Sequence, residues 1–287
     1  MKLAILGAGA MGEWFAKFAK NREWNVSISD IKKEKAQKVA EELNLKAVES
    51  NKKAVEEADT VLVSVPIKET PKVIKEVSDS LKSNALLLDI ASVKEKSAEA
   101  MKEIDVDSEL VSIHPLFGPG AKNLENKNII SIPVKAGKRY TELKKIFSNM
   151  GALVVEMEAS EHDRLMSITQ SLTHYTLLTY FSALNSMKGL EKTETFKTPI
   201  FQNLLDLTKA FLQEDPKLCG DIQTENRYST MARSSLREAC RSLDVGLKSK
   251  NTKPIEEIFE EAHDKIGSEE LKTAYEKLYE KIEGKEK

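Results

Sequence analysis

Cysteine is scarce in this 287-residue chain, which holds two, Cys219 and Cys240. They stand far apart with no paired spacing, which excludes a disulfide scaffold and a zinc site. Charge of one sign is missing as well: 44 Lys and Arg oppose 46 Asp and Glu, for a net charge of −2. A nucleic-acid binder would show a basic domain or stripe, and this balance gives none. Long apolar runs are absent. The longest, such as Ala85–Leu88 and Ile129–Val134, fall far short of the ~20 residues of a membrane span. The apolar start at Met1–Leu6 reaches Gly7 too soon for a signal peptide. There is no internal repeat and no low-complexity linker. The expectation is a soluble, cytoplasmic, globular chain with no metal, membrane or nucleic-acid partner. Its length suits one large domain or two ordinary ones, at ~100–200 residues each.

Two rhythms divide the chain. Up to about Met157, β-rich runs alternate with charged helical stretches such as Lys32–Leu43. Lys2–Leu6, Asn25–Ser29, Thr60–Val65, Ala85–Asp89, Glu109–His114, Ile129–Val134 and Ala152–Met157 read as strands. This alternation predicts βαβ units and a mainly parallel sheet, because parallel strands need long crossovers. After Glu158 the strands stop. Ser160-Glu161-His162-Asp163 reads as a capping box, opening a long apolar helix from Glu161 to Met187. Further helices are expected over Ile200–Leu212, Lys217–Leu247, Ile255–Lys265 and Glu269–Glu283. Their Leu-rich faces are too many for one exposed layer, so some should bury against each other or a second subunit. The reading is an α/β Rossmann-type dinucleotide-binding domain over residues 1–158, followed by an all-α helical domain over 159–287.

Gly7-Ala8-Gly9-Ala10-Met11-Gly12 follows the first strand directly and opens a helix. In such a G-x-G-x-x-G turn the first glycine permits the tight turn. The second lets a pyrophosphate approach the backbone, and the third lets helix and strand pack closely. A lone match is weak, but here the strand, the helix and an acidic residue are all in place. Asp30 ends the second strand about 20 residues on. A carboxylate there accepts from the ribose hydroxyls and repels a 2′-phosphate, favouring NAD over NADP, although Lys32 and Lys33 follow closely. Ser64-Val65-Pro66 ends another strand and is either a further border of the cofactor or an ordinary strand-ending proline.

Three more segments carry polar residues where apolar ones would suffice. They are Asp89-Ile90-Ala91-Ser92-Val93-Lys94, His114-Pro115-Leu116-Phe117-Gly118-Pro119-Gly120, and His162-Asp163 with Gln170-Ser171-Leu172-Thr173-His174. Taken singly, each has a bland alternative. His114 can cap a turn, Ser92 and Lys94 can be a helix cap and a solvated lysine, and His174 can be a satisfied core histidine. At ~100° per residue Gln170 and His174 share a helix face, and His162 drifts well around it. Of the four histidines, His263 lies in an acidic helix and reads as surface.

Together these segments resemble the prephenate/arogenate dehydrogenase (TyrA) family of tyrosine biosynthesis. The carrying residues are Gly7–Gly12 with Met11, Ser92-Val93-Lys94, the string His114-Pro115-Leu116-Phe117-Gly118-Pro119, and Glu161-His162-Asp163 with Gln170 and Thr173-His174. Thr198-Pro199-Ile200-Phe201, Asp215-Pro216 and Asp221-Ile222 extend the match to about residue 245. The resemblance implies NAD-dependent oxidative decarboxylation of prephenate or arogenate. His114 would accept the hydroxyl proton and Ser92 would orient it. Lys94 would hold the loop and add positive potential for a dianionic substrate, with His174 and Gln170 contacting that substrate. Cofactor contacts would come from Gly7, Gly9, Ala10, Met11, Gly12, Asp30, Ser64 and Pro66. A homodimer through the helical domain is implied, and the length leaves room for neither a chorismate mutase nor an ACT-like segment.

One departure stands out. The arginine with which the family grips a substrate carboxylate falls on Ala210 here, with Lys209 beside it, and a second arginine that some relatives carry directly after the Pro-Ile-aromatic motif falls on Gln202. Alanine cannot bind a carboxylate. The candidates to replace them are Lys209, Arg227 and the row Arg233, Arg237 and Arg241, which shares a helix face and reads equally as a solvated face paired with acids. Two other classes compete. A 3-hydroxy-acid dehydrogenase or imine reductase would carry a catalytic lysine on the first long helix, and Glu161–Met187 contains none. A cofactor-binding regulatory protein that has lost catalysis would not need Ser92, Lys94, His114 and His174 together.

Overall fold

The computed structural model describes residues 1–187, 193 and 195–284. The chain forms two compact units, one of residues 1–165 with 224–226 and one of residues 166–223 with 227–287.

In the first unit the alternation of strand and helix runs β1 (Lys2–Leu6), α1 (Ala10–Lys20), β2 (Asn25–Ser29), α2 (Lys33–Leu43), β3 (Lys46–Ala47), α3 (Asn51–Val55), β4 (Thr60–Val63), α4 (Thr70–Val77), β5 (Leu86–Asp89), α5 (Glu95–Lys102), β6 (Glu109–Pro115), β7 (Asn128–Lys135), α6 (Lys138–Asn149), β8 (Leu153–Glu156) and α7 (Ala159–Met166). The eight strands form one sheet in the order β3-β2-β1-β4-β5-β6-β7-β8. All neighbours are parallel except β6 and β7. The order reverses between β1 and β4, and ligands of open α/β sheets bind at the carboxyl ends of the strands at such a reversal.

The pleat divides each central strand between two cores. Leu3 and Ile5 of β1 face Phe15, Ala16 and Ala19 of α1, Val39 of α2 and Phe147 of α6. Ala4 and Leu6 face Val55 of α3, Ile74 and Val77 of α4, and Met101 of α5. With both faces covered, β4 and β5 are buried at every residue, as near-continuous apolar runs in a parallel sheet require. Strand β3, only two exposed residues long, carries no such run and gave no signal in the sequence. Strand β4 stops at Val63 rather than Val65. The Ser64 N–H still donates to Leu6 O (2.7 Å), and Pro66 then takes the chain out of the sheet.

The second unit is helical. The expected helix from Glu161 to Met187 begins earlier and contains a π-turn, Ser167–Leu172, between α7 and α8 (Thr173–Ser186). After it come α9 (Pro199–Phe211), α10 (Pro216–Glu225), α11 (Ser229–Lys248), α12 (Lys253–Ile266) and α13 (Ser268–Glu283). The single helix expected over Lys217–Leu247 is two. It breaks at Glu225 and Asn226, which belong to the first unit: the Glu225 carboxylate meets Lys96 (2.6 Å) and Lys68 (3.5 Å), and the Asn226 amide donates to Asp163 O (2.7 Å). No residue of α12 is buried, and Ile255, Ile258 and Phe259 expose 38%, 49% and 66% of their surfaces along one stripe. No helix of the described residues is long and apolar enough to cross a membrane.

Candidate active site

The carboxyl end of β1 carries the glycine turn. Gly7 has φ +110°, and a Cβ there would come within 2.1 Å of Ser64 O. A Cβ on Gly12 would lie 2.0 Å from Gly7 O. Both positions therefore admit only glycine, and both exist because the ends of β1 and β4 and the start of α1 are pressed together. Gly9 differs: a Cβ there would meet nothing within 4 Å. The space before it is open, as it must be where a phosphate approaches the backbone. Gly9 caps α1 without a side-chain bond, which leaves the first-turn N–H groups of α1 to an anion. Asp30 locks the turn, accepting from Ala8 N–H (2.7 Å) and Lys32 N–H (2.8 Å). Ala10 is exposed and Met11 half-buried along the same turn. Ser64 lies beside the glycines, and Pro66 is exposed just beyond. This donor set and open cradle fit a dinucleotide pyrophosphate.

Two and three strands over from β1, β5 and β6 end next to each other, with Asp89 opposite Ser112. Lys94 departs from expectation here. It is fully buried, and its ammonium donates to Asp89 Oδ1 (2.9 Å), Ser112 Oγ (2.8 Å) and Ile113 O (2.8 Å). All three protons are used inside the protein, so Lys94 has none left for a substrate. It instead braces the end of β6 that carries His114. Asp89 completes the cluster, accepting from Ala91 N–H (2.9 Å) and from the Ser112 hydroxyl. Burial pushes the Lys94 ammonium below its usual range, and Asp89 opposes that shift. Ser92, half-buried beyond the end of β5, keeps its hydroxyl free of hydrogen bonds among the described residues.

His114 is 4% exposed. Its Nδ1 lies 2.9 Å from His162 Nε2, and His162 Nδ1 lies 2.7 Å from Asp163 Oδ1. The other nitrogen, His114 Nε2, has no partner among the described residues. Among the described residues only His174 Nδ1 is both unpartnered and sealed from solvent, so His114 Nε2 reaches an opening. Burial, His162 and Lys94, in that order, hold the His114 pKa well below its ordinary value. Burial also lowers His162, although Asp163 pulls the other way. Both rings are neutral near pH 7. The loop after His114 is fixed on α1: Trp14 Nε1 donates to Ala121 O (2.7 Å), and the Trp14 and Phe117 rings lie 5.0 Å apart.

Asp163 corrects the capping-box expectation. Its carboxylate does not serve its own helix. It accepts from the backbone N–H groups of Lys94 (2.8 Å) and Glu95 (3.0 Å), capping α5, and from His162. Helical spacing alone sets His162 apart from Gln170 and His174, yet it lies against His114. The signal was present in its buried-polar pairing with Asp163. What sequence could not supply was the position of β6 beside α7.

The remaining candidates belong to the second unit. Gln170 lies half-buried in the π-turn, where the ideal helical spacing used to pair it with His174 does not hold. His174 packs against Phe211 (centroids 4.8 Å apart, planes tilted by 44°), and burial lowers its pKa. Lys209 is exposed at the end of α9 with no ion pair among the described residues. Arg227 donates to Tyr228 Oη (2.8 Å) and lies over the Tyr228 ring. The arginine row is spent locally. Arg233 binds Gln223 O (2.7 Å), Arg237 binds Ser234 (2.8 Å) and Arg241 pairs with Glu238 (3.4 Å). His263 is exposed and bonds Ser268. No group of His, Cys, Asp and Glu with metal-holding geometry occurs among the described residues.

A dinucleotide cradle at the sheet reversal, with a buried neutral histidine at the end of β6, marks a nucleotide-binding protein of the doubly wound α/β class. Residues 15–156 match the family described as prephenate dehydrogenase, nucleotide-binding domain, and residues 158–261 match prephenate dehydrogenase, dimerization domain. The chain belongs to the prephenate dehydrogenase family. It is 30% identical over 276 residues to a probable arogenate/prephenate dehydrogenase of Methanocaldococcus jannaschii, covering 94% of this chain and 62% of the relative. It is 27% identical over 225 residues to the T-protein of Haemophilus influenzae, covering 77% and 55%. The chain thus spans about six-tenths of the length of these relatives. A prephenate dehydrogenase of Aquifex aeolicus, solved with hydroxyphenyl propionate and NAD+, shares the fold with a TM-score of 0.72 at 23% identity, over 98% of both chains.

Proposed function

We propose that the protein oxidatively decarboxylates prephenate, or its amino counterpart arogenate, using NAD. The observation that carries this reading is the buried His114 ring, neutral and open only at Nε2. A neutral imidazole so placed accepts a hydroxyl proton, the task a general base must perform here. In prephenate the hydroxyl-bearing ring carbon must lose a hydride while carbon dioxide leaves the opposite carbon and the ring becomes aromatic. NAD, held by the Gly7–Gly12 turn and Asp30, supplies the hydride acceptor. Ser64 and Pro66 border the same place. His114 Nε2 takes the hydroxyl proton, and the unpaired Ser92 hydroxyl orients that oxygen. Lys94 acts from below, fixing β6, and does not touch the substrate. The two carboxylates need donors and positive charge. His174 and Gln170 supply neutral donors, and Lys209 and Arg227 supply the charge that Ala210 and Gln202 cannot.

The curated relatives, with names spanning prephenate and arogenate, support the reaction class. The matched dimerization domain and the uncovered apolar stripe on α12 support a homodimer through the helical unit. A sedimentation mass equal to one chain would count against the dimer. The test of function is steady-state formation of reduced cofactor with prephenate and with arogenate, each with NAD and with NADP. Activity with prephenate and NAD is the expected result. Activity with arogenate alone would keep the mechanism and move specificity to the side-chain pocket, and silence with both substrates would overturn the reading.

A further inference from the structure

The chain of contacts from Asp163 through His162 to His114 has only one consistent arrangement of hydrogens. Asp163 Oδ1 already accepts the Lys94 N–H at 2.8 Å, so toward His162 it is an acceptor again. The hydrogen between them therefore sits on His162 Nδ1. With the ring neutral, His162 Nε2 then carries a lone pair. At 2.9 Å from it, His114 Nδ1 must donate. The one lone pair left on His114 is at Nε2, the nitrogen that reaches the opening.

We propose that His162 and Asp163 are positioning residues that lock His114 in the tautomer with its lone pair on Nε2. The proposal deepens the functional reading and rests on His114 being the base. Without the lock, Nε2 would carry the hydrogen for part of the time and could not accept one from a substrate. The logic is that of an aspartate orienting a catalytic histidine, lengthened by one imidazole. The relay is rigid. Asp163 is fixed by the Lys94 and Glu95 amides, and its own carbonyl takes the Asn226 amide. His162 is 0% exposed. Burial holds His162 neutral against the pull of Asp163, which closes the alternative in which a charged His162 donates to His114 from Nε2. The other charges beneath the ring are Lys94 and Asp89, paired with each other at 2.9 Å.

Asp163 is a poor place to test this, because its carboxylate also caps α5. His162 is better. His162→Phe fills the space but removes the acceptor. His162→Gln offers an amide whose oxygen can accept from His114 Nδ1 and whose N–H can donate to Asp163. The readout is the ¹⁵N spectrum of labelled histidine, with the His114 signals assigned by their loss in His114→Gln. The wild type should show Nδ1 protonated and Nε2 bare at pH 7 to 8. His162→Phe should move the hydrogen to Nε2 and lower kcat about 100-fold with cofactor affinity unchanged. His162→Gln should restore the wild-type tautomer and most of the turnover. A protonated Nε2 in the wild type, or an unaltered tautomer in His162→Phe, would overturn the proposal. The spectrum decides this without any substrate, whereas a wild type inactive on prephenate and arogenate would sink the functional reading instead.

Discussion

Replacing Lys94 by methionine tests the brace beneath the site. The substitution leaves the Asp89 carboxylate at 0% exposure with no countercharge. Removing one partner of a buried pair costs about 3–5 kcal/mol, a large share of the 5–15 kcal/mol typical of a whole domain, roughly. The double variant Lys94→Met with Asp89→Asn separates charge from hydrogen bonding. It removes the stranded charge and keeps an acceptor for Ala91 N–H. What remains lost are the ammonium bonds to Ser112 Oγ and Ile113 O, at about 1 kcal/mol each. The double variant should therefore cost about 2 kcal/mol, less than the single one, although it carries more mutations. Urea unfolding followed by tryptophan fluorescence reads this cleanly, since Trp14 and Trp24, the two tryptophans of the chain, both lie in the first unit. With a slope of about 3 kcal/mol per molar urea, the midpoint should fall by about 1–2 M in Lys94→Met and by about 0.7 M in the pair. A single variant within about 1 kcal/mol of wild type, or a double no better than the single, would refute the reasoning.

Four further outcomes are expected. His114→Asn should lower turnover by about 10²–10⁴ with NAD affinity intact, and an equal loss of NAD affinity would make His114 structural. Gly12→Ala should melt below the wild type, because its Cβ would meet backbone at 2.0 Å, whereas Gly9→Ala should melt normally and lose cofactor affinity; identical melting of the two would dismiss the packing argument. Asp30→Ser should raise the use of NADP relative to NAD, and a constant ratio would remove Asp30 from the ribose site. His114 and His162 titrate below their unfolded value, so their cost is nil above pH ~6.5 and grows as the pH falls, when the unfolded chain takes up protons the fold refuses. Urea midpoints should drop between pH 6.5 and 5 with a slope of up to about 1.4 kcal/mol per pH unit for each histidine, and a flat profile would contradict their burial as neutral rings.

The fold was legible wherever local pattern and burial agree. The strands β1, β2, β4, β5, β6, β7 and β8 each place apolar residues against a packed layer, so each announced itself within a residue or two. Strand β3 buries nothing and was invisible. The glycine turn was readable because its spacing encodes a steric requirement, now visible as the 2.0 and 2.1 Å approaches at Gly12 and Gly7. The break between α10 and α11 was not readable. Glu225 and Asn226 are acceptable mid-helix residues, and only their partners Lys96, Lys68 and Asp163, distant in sequence, accompany the end of α10 at Glu225.

The site shows the same division more sharply. His114 and Ser92 could be proposed because they lie at and just beyond the carboxyl ends of strands, where ligands of open α/β sheets bind. Lys94 was expected to hold the loop and to lend charge to the substrate; its three buried partners, Asp89, Ser112 and Ile113, agree with a holding role and leave its ammonium no proton for a substrate. Helical periodicity excluded His162 because that test asks which residues share a face with Gln170 and His174. The relevant neighbour of His162 is not on a helix. It is His114, at the end of a strand 48 residues earlier. A buried histidine followed by a buried aspartate is costly unless both find partners, so the pair itself was the signal. Two adjacent polar residues on one helical turn cannot both face solvent when both are buried. Their satisfaction therefore had to come from elements outside the helix, and it does: His114 at the end of β6 meets His162, and the Lys94 and Glu95 amides at the start of α5 meet Asp163.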